Sequence, residues 1–323
     1  MISKENWEEF FLGYHIYKCA VASKNHFYFV LLELVEGNDI SPRKRLVSII
    51  VEDDDEVISC AEYDSEYFDL ARLASVQKPT QQAVMVALDG DVAVMGSGFN
   101  GFEDSIPLGK PGLPLETSAH AVASIDGYAY VVGAWRSVCR RSALGQWETL
   151  ADRSSLPKPE KNKFGRSNQG FKVIAGFSSS DIYAGGGEGD LWHYNGEKWN
   201  RCAVPTNMYI ETICCGGDGL VYVGLQSGSI MQGRNNKWKL VHKGDMTLPF
   251  QDMVWFQDKV WCTSDYGIWT IENGKLTDPL LPAEVRSCSG NLSVNDGVML
   301  LAGMYGATVF DGIKWMPLCS ELT

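Results

Sequence analysis

Histidine is scarce in this 323-residue chain. His15, His26, His120, His193 and His242 are the only five, no two stand at metal-ligand spacing, and neither HExxH nor HxH occurs. Compact zinc motifs are thereby excluded. A GxSxG nucleophile elbow is absent, as is a D-x-D-x-D-G calcium loop with its distal glutamate. The nine cysteines are odd in number, scattered and without a CxxC, and several lie in apolar strand-like runs such as Val260-Trp261-Cys262-Thr263. This argues against a disulfide framework and for buried free thiols in a reducing compartment. No apolar run reaches about 18 residues, and the start "MISKENWEEFFLGYHIYK" has no basic stretch followed by an apolar core. The expected location is the cytoplasm, away from membranes. Positive charge is also short: 28 Lys and Arg stand against 40 Asp and Glu, a net −12. Direct nucleic-acid binding, which needs clustered cations, is disfavoured, and a basic protein partner is suited.

What the chain does have is apolar residues (45%), aromatics (11%) and 33 glycines, a composition of strands and turns. The glycines are ordered. Gly189, Gly228, Gly267 and Gly306 recur every 39 residues, each after a β-rich run such as "LVYVGLQSG" and before a second run that Trp199, Trp238, Leu276 or Trp315 closes. Asp89-Gly90, Asp126-Gly127, Asp218-Gly219 and Asp296-Gly297 stand between apolar runs, with Asp181 and Asp258 at equivalent places. Asp-Gly between strands signals a type I′ hairpin. A second set of turns follows at Asn195-Gly196, Asn235-Asn236, Asn273-Gly274 and Asp311-Gly312. Each unit therefore reads as four antiparallel strands, with the 39-residue glycine between the second and third and the tryptophan in the fourth. The glycine-rich "GGGEGDLWHYNGEKW" (185–199) is on this reading one copy of the unit. It is not a phosphate loop, because no helix follows it.

Repeated four-stranded meanders cannot cover both sheet faces alone and stack into a ring, which predicts an all-β fold, a β-propeller of four-stranded antiparallel blades. The units are expected at 81–118, 119–169, 170–207, 208–248, 249–288 and 289–323. The runs "YHIYKCAVA", "FYFVLLEL", "RLVSIIVE" and "EVISCAEY" supply a degenerate first blade at 14–63. Seven blades in one domain spanning 1–323 is the favoured count, and six plus an N-terminal subdomain is the alternative. Over residues 81–323 the pattern resembles WD40- and kelch-type propellers in architecture, without the Gly-His and Trp-Asp pairs of the first or the period of the second. That resemblance implies the fold and leaves the function open.

No catalytic constellation emerges, and neither a metal nor a cofactor is expected. Among the starts of first strands only His120, Glu211 and Asp252 are candidate ligands. His193, within a strand, reads as satisfied by a neighbour, and Cys214-Cys215 as small apolar filler. The surface offers more. The connections between second and third strands carry Phe99, Trp135, Arg136, Glu188, Gln226, Asp265, Tyr266, Met304 and Tyr305, expected to gather on one face around the channel, as a protein-binding hot spot requires. Residues 1–78 hold 15 acidic and 8 basic side chains, densest in Glu52, Asp53, Asp54, Asp55 and Glu56, a run suited to steering a basic partner. The insertion at 151–170 is biased the other way, with Arg153, Lys158, Lys161, Lys163 and Arg166, near Arg140 and Arg141. The expectation is a non-enzymatic protein-binding propeller, an immunity-type inhibitor that sequesters a basic, nuclease-like toxic enzyme. The alternatives are a scaffold subunit and a lactonase-, lyase- or glycosidase-type propeller enzyme acting at the channel mouth.

Overall fold

The computed structural model describes residues 2–35, 42–52, 55–63, 68–159, 170–272 and 274–320. Seven four-stranded antiparallel sheets span 14–63, 72–103, 119–149, 171–201, 210–242, 252–277 and 290–320, and in each the strand order follows the chain. They are numbered here as sheets 1 to 7. Every first strand packs beside the first strands of its two neighbours, and that of sheet 1 meets that of sheet 7. The fold is a seven-bladed β-propeller, and the N-terminal quarter is a full blade.

The turns follow the sequence in part. Asp126-Gly127 and Asp296-Gly297 both place two successive residues at positive φ, as does Gln257-Asp258, which is what a type I′ hairpin needs. At Asp89-Gly90 and Asp218-Gly219 only the glycine has positive φ. There the aspartate residues are used differently: Asp218 Oδ1 accepts the Leu220 amide at 3.0 Å, a side-chain turn that lengthens the loop. Sheet 2 also departs from the expected unit at 81–118. Its first strand is Arg72–Val76, so Asp89-Gly90 joins its second and third strands. The turn into its second strand, residues 77–81, has no Asp-Gly to mark it. Phe99 accordingly lies between the third and fourth strands, on the opposite face from the one expected.

Seven apolar clusters fill the seven gaps between sheets. The fourth-strand tryptophans Trp147, Trp199, Trp238 and Trp315 each enter the gap shared with the preceding sheet. A second 39-residue series complements them in the second strands: Tyr183, Tyr222, Trp261 and Leu300 face the following sheet. The two series meet edge-on, Tyr183 with Trp238 at 6.1 Å and Trp261 with Trp315 at 6.0 Å between ring centroids. Such pairs add about 0.5–1.5 kcal/mol beyond the area they bury.

Among the described residues no strand is shared between the ends of the chain, and the gap between sheets 7 and 1 is filled by packing. The segment before sheet 1 forms a helix, Lys4–Phe10, with Ser3 capping it through the Asn6 amide. Ile2, Trp7, Phe10 and Phe11 join the cluster between sheets 1 and 7, and the Ile2 amide donates to the Leu318 carbonyl at 2.8 Å. Because hairpin ends alternate, the ring has two faces. Turns between first and second strands lie on one, the turn face. Connections between second and third strands, and those between sheets, lie on the other, the loop face. Turns of adjacent sheets are tied together: Asp126 accepts the Ser179 amide at 2.6 Å and Asp296 the Lys24 amide at 3.0 Å.

Candidate functional site: the channel mouth and the loop face

A central cavity of about 1820 Å³ is lined by the first strands of all seven sheets. The first strands of sheets 1 to 6 each give it one basic, acidic or imidazole side chain: Lys18, Arg72, His120, Lys172, Glu211 and Asp252. The order is not random. Sheets 1 to 4 supply the cations and the imidazole, and sheets 5 and 6 supply the carboxylates. Most are already engaged. Glu211 is bridged to Lys172, Asp252 accepts the Leu292 amide at 3.0 Å, Lys18 donates to Asn291 at 3.0 Å, and Arg72 Nε donates to the His120 carbonyl at 2.8 Å. His120 itself lies 2.8 Å from the Phe171 carbonyl through Nδ1 and 3.0 Å from Ser118 Oγ through Nε2. Burial lowers its pKa, Arg72 and Lys172 push the same way, and the Phe171 bond opposes them. His120, Glu211 and Asp252 come from three different sheets and have separate partners. Among the described residues no three His, Cys, Asp or Glu side chains group as metal ligands.

The other two sequence readings can be placed. His193 is stacked on Tyr183 and paired with Asp181 at 2.8 Å, a strand histidine satisfied by its neighbours. Cys214 is buried and Cys215 half-buried, both free, and burial raises both thiols, Cys215 to about 12, so neither is a thiolate at neutral pH.

On the loop face, three connections share one geometry: Ala134–Arg136, Gly187–Gly189 and Gln226–Gly228 are single 3₁₀ turns with the central residue, Trp135, Glu188 or Ser227, at positive φ. Gly189 closes its turn at φ +66, and a Cβ there would sit 2.2 Å from the Thr206 carbonyl. The glycine-rich stretch is thus turn geometry, with no phosphate cradle. Glu188, Gln226, Asp265, Tyr266, Met304 and Tyr305 are exposed at the connections between second and third strands. Trp135 is half-buried, its ring 6.0 Å from Lys158 Nζ. Arg136 differs from its sequence reading: it is buried. Its Nε and Nη2 bind both oxygens of Asp190 at 2.8 Å, Nη1 reaches the Pro157 carbonyl at 2.6 Å, and the guanidinium lies over Trp192.

Glu52, the first residue of the acidic run, lies on the other face. The Val51 amide bonds to the Asn25 carbonyl, beside the turn that bonds to Asp296, so the strand end at Glu52 lies at the turn face. Asp53 and Asp54 lie outside the described residues, as does the side chain of Asp55; Glu52 is exposed. Glu56 holds the N-terminal helix, accepting from the Ser3 amide at 2.7 Å and Asn6 Nδ2 at 2.6 Å. Partial burial works against its ionisation, but these bonds prevail and keep its pKa below the usual glutamate value. In the basic insertion, Arg153 and Lys158 both bind Glu116, at 2.7 and 2.5 Å, while Lys161, Lys163 and Arg166 lie outside the described residues. Arg141 is buried against Glu103. Sequence reasoning missed four exposed apolar residues of the described connections between sheets, Leu70, Tyr209, Leu248 and Leu280; bulky apolar residues in otherwise polar linkers were the available signal.

Fold and site together define a closed ring that offers a loop face and a polar channel mouth. Among solved structures, the WD40 β-propeller domain of Doa1 is similar at a TM-score of 0.60 and 13% identity, covering 90% of each chain. Sqt1 of Saccharomyces cerevisiae is similar at 0.57 and 10%, covering 90% of this chain and 94% of that one. Both speak to fold alone. No family model matches the sequence. In sequence the chain is 31% identical over 240 residues to the immune protein Tsi7 of Pseudomonas aeruginosa, covering 74% of this chain and 76% of that protein. The chain belongs to the Tsi7 family, and its fold is a seven-bladed propeller. No helix among the described residues is long and apolar enough to cross a membrane.

Proposed function

We propose that the chain is an immunity-type protein that binds a basic toxic enzyme in a one-to-one complex and holds it inactive, with the loop face as the docking surface. The observation that carries this is the kinship to an immune protein across three quarters of the chain. The net charge of −12 supplies the attraction for a basic partner. Exposed Tyr266 and Tyr305, with Glu188, Gln226 and Asp265 on the same face, are the kinds of residue that anchor interfaces. Glu52, exposed at the turn face, and the acidic residues that follow it in sequence act by their field during approach, not by contact.

The test is capture with the tagged chain from its native cells at low and at moderate salt, with the bound proteins identified by mass spectrometry. One stoichiometric basic protein whose expression alone arrests growth supports the reading. Several subunits of one assembly, or no protein at either salt, contradict it.

A further inference from the structure

We infer that docking is confined to the half of the loop face above sheets 5 to 7, and that this half receives a basic, apolar-tipped protrusion of the toxic enzyme; the inference rests on the function proposed above. The apolar residues of this half are Tyr209, Leu248, Tyr266, Leu280, Met304 and Tyr305. They come from five connections and are between 41% and 84% exposed. The three exposed tyrosines among the described residues are all in this row. A row of large apolar side chains held in water by short connections on rigid strands is the make-up of an interface core.

The charges around this row choose its occupant. The same connections, with the neighbouring Glu188, present exposed Glu188, Asp245, Asp265, Asp278 and Glu284, against Lys243 and Arg286 alone. Arg286 is itself bound to Asp278 at 3.1 Å. The channel wall beneath adds Glu211 and Asp252. The half above sheets 1 to 4 differs in its channel wall, although its described connections also present exposed Asp69, Asp89, Asp104 and Asp152. Its channel wall carries Lys18, Arg72, His120 and Lys172, and on its rim Arg136, Arg153 and Lys158 are consumed by Asp190 and Glu116. A basic protrusion is attracted by the carboxylates of the rim and, over sheets 5 to 7, by those of the channel wall, and is repelled by the channel cations over sheets 1 to 4, so the channel division sets orientation as well as affinity.

The experiment uses the full chain and the protein that copurifies with it, separated and rebound in a calorimeter. Tyr266→Ala with Leu280→Ala is expected to weaken binding by roughly 30-fold or more, and Glu188→Lys with Asp265→Lys to slow association. Leu12→Ala and Leu70→Ala, exposed on the other half, are expected to change affinity less than threefold. Circular dichroism and urea midpoints establish that the variants are folded. A wild-type chain that captures no partner overturns the proposed function and this inference together. A partner bound within threefold of wild type by Tyr266→Ala/Leu280→Ala overturns the inference alone. So does an acidic partner, a second copy of this chain in place of one, or equal losses from Leu12→Ala and Leu70→Ala.

Discussion

Arg136 ties the loop after the second strand of sheet 3 to Asp190 in sheet 4, and both side chains are almost fully removed from water. Breaking such a pair from one side leaves the other charge buried without a partner, at a cost of about 3–5 kcal/mol. Arg136→Met is therefore expected to lower the urea midpoint strongly. Adding Asp190→Asn, which keeps an acceptor for Trp192, should recover most of the loss. Equal destabilisation of single and double variants would show that the charge itself is not the issue. Sequence alone placed Arg136 on the surface because Asp190 is 54 positions away and Pro157 belongs to an insertion that folds back over it. The exposed neighbours Glu188, Asp265 and Tyr266 were legible, since they flank a recurring glycine and need no distant partner. Histidine gives a second expectation at this scale. Burial holds His15, His26 and His120 below the usual 6.5. The unfolded chain therefore binds more protons just below that pH. Stability from these groups is complete above about pH 6.5 and is lost as pH falls through the folded values. The urea midpoint should drop between pH 7 and 5.5, and His120→Gln should make that drop shallower; parallel curves would reject the assignment.

At the scale of elements, the N-terminal helix replaces the shared strand that would otherwise lock the ends of the ring. Phe11 is fully buried against Phe29 in the gap between sheets 1 and 7. Phe11→Ala is expected to cost about 3–5 kcal/mol, more than the exposed Leu12→Ala by far. A loss below 1 kcal/mol in chemical denaturation would mean that the clasp adds nothing to closure. The helix was invisible to period counting because it occurs once and its apolar residues are only Trp7, Phe10 and their neighbours. Sheet 2 was shifted by one strand for a related reason. Asp-Gly marks a tight turn wherever one occurs, and it does not say which strands the turn joins. Where the 39-residue spacing held, in sheets 4 to 7, turns and strands fell in the expected order.

The whole molecule is a ring whose architecture follows from repetition and whose function follows from departures from it. Four 39-spaced glycines and the matching second-strand and fourth-strand aromatics specify the blade. Residues that differ between copies, Glu188 against Ser227 or Tyr266 against Trp135, differentiate the loop face. The division of channel charge between sheets 1 to 4 and sheets 5 and 6 was not legible, because it depends on which residue of each first strand faces inward, and bulges in several of those strands shift that residue. At this scale the expectation concerns salt. Association with the partner should slow as ionic strength rises past about 0.15 M, while dissociation changes little, since exposed charges act mainly on encounter. An association rate indifferent to salt would remove charge from the account. The most direct measurement is a titration of the captured enzyme's activity with the purified chain. Binding that neutralises a toxic enzyme predicts a linear fall to zero with a break at one chain per enzyme. Full activity in the presence of excess bound chain would contradict it.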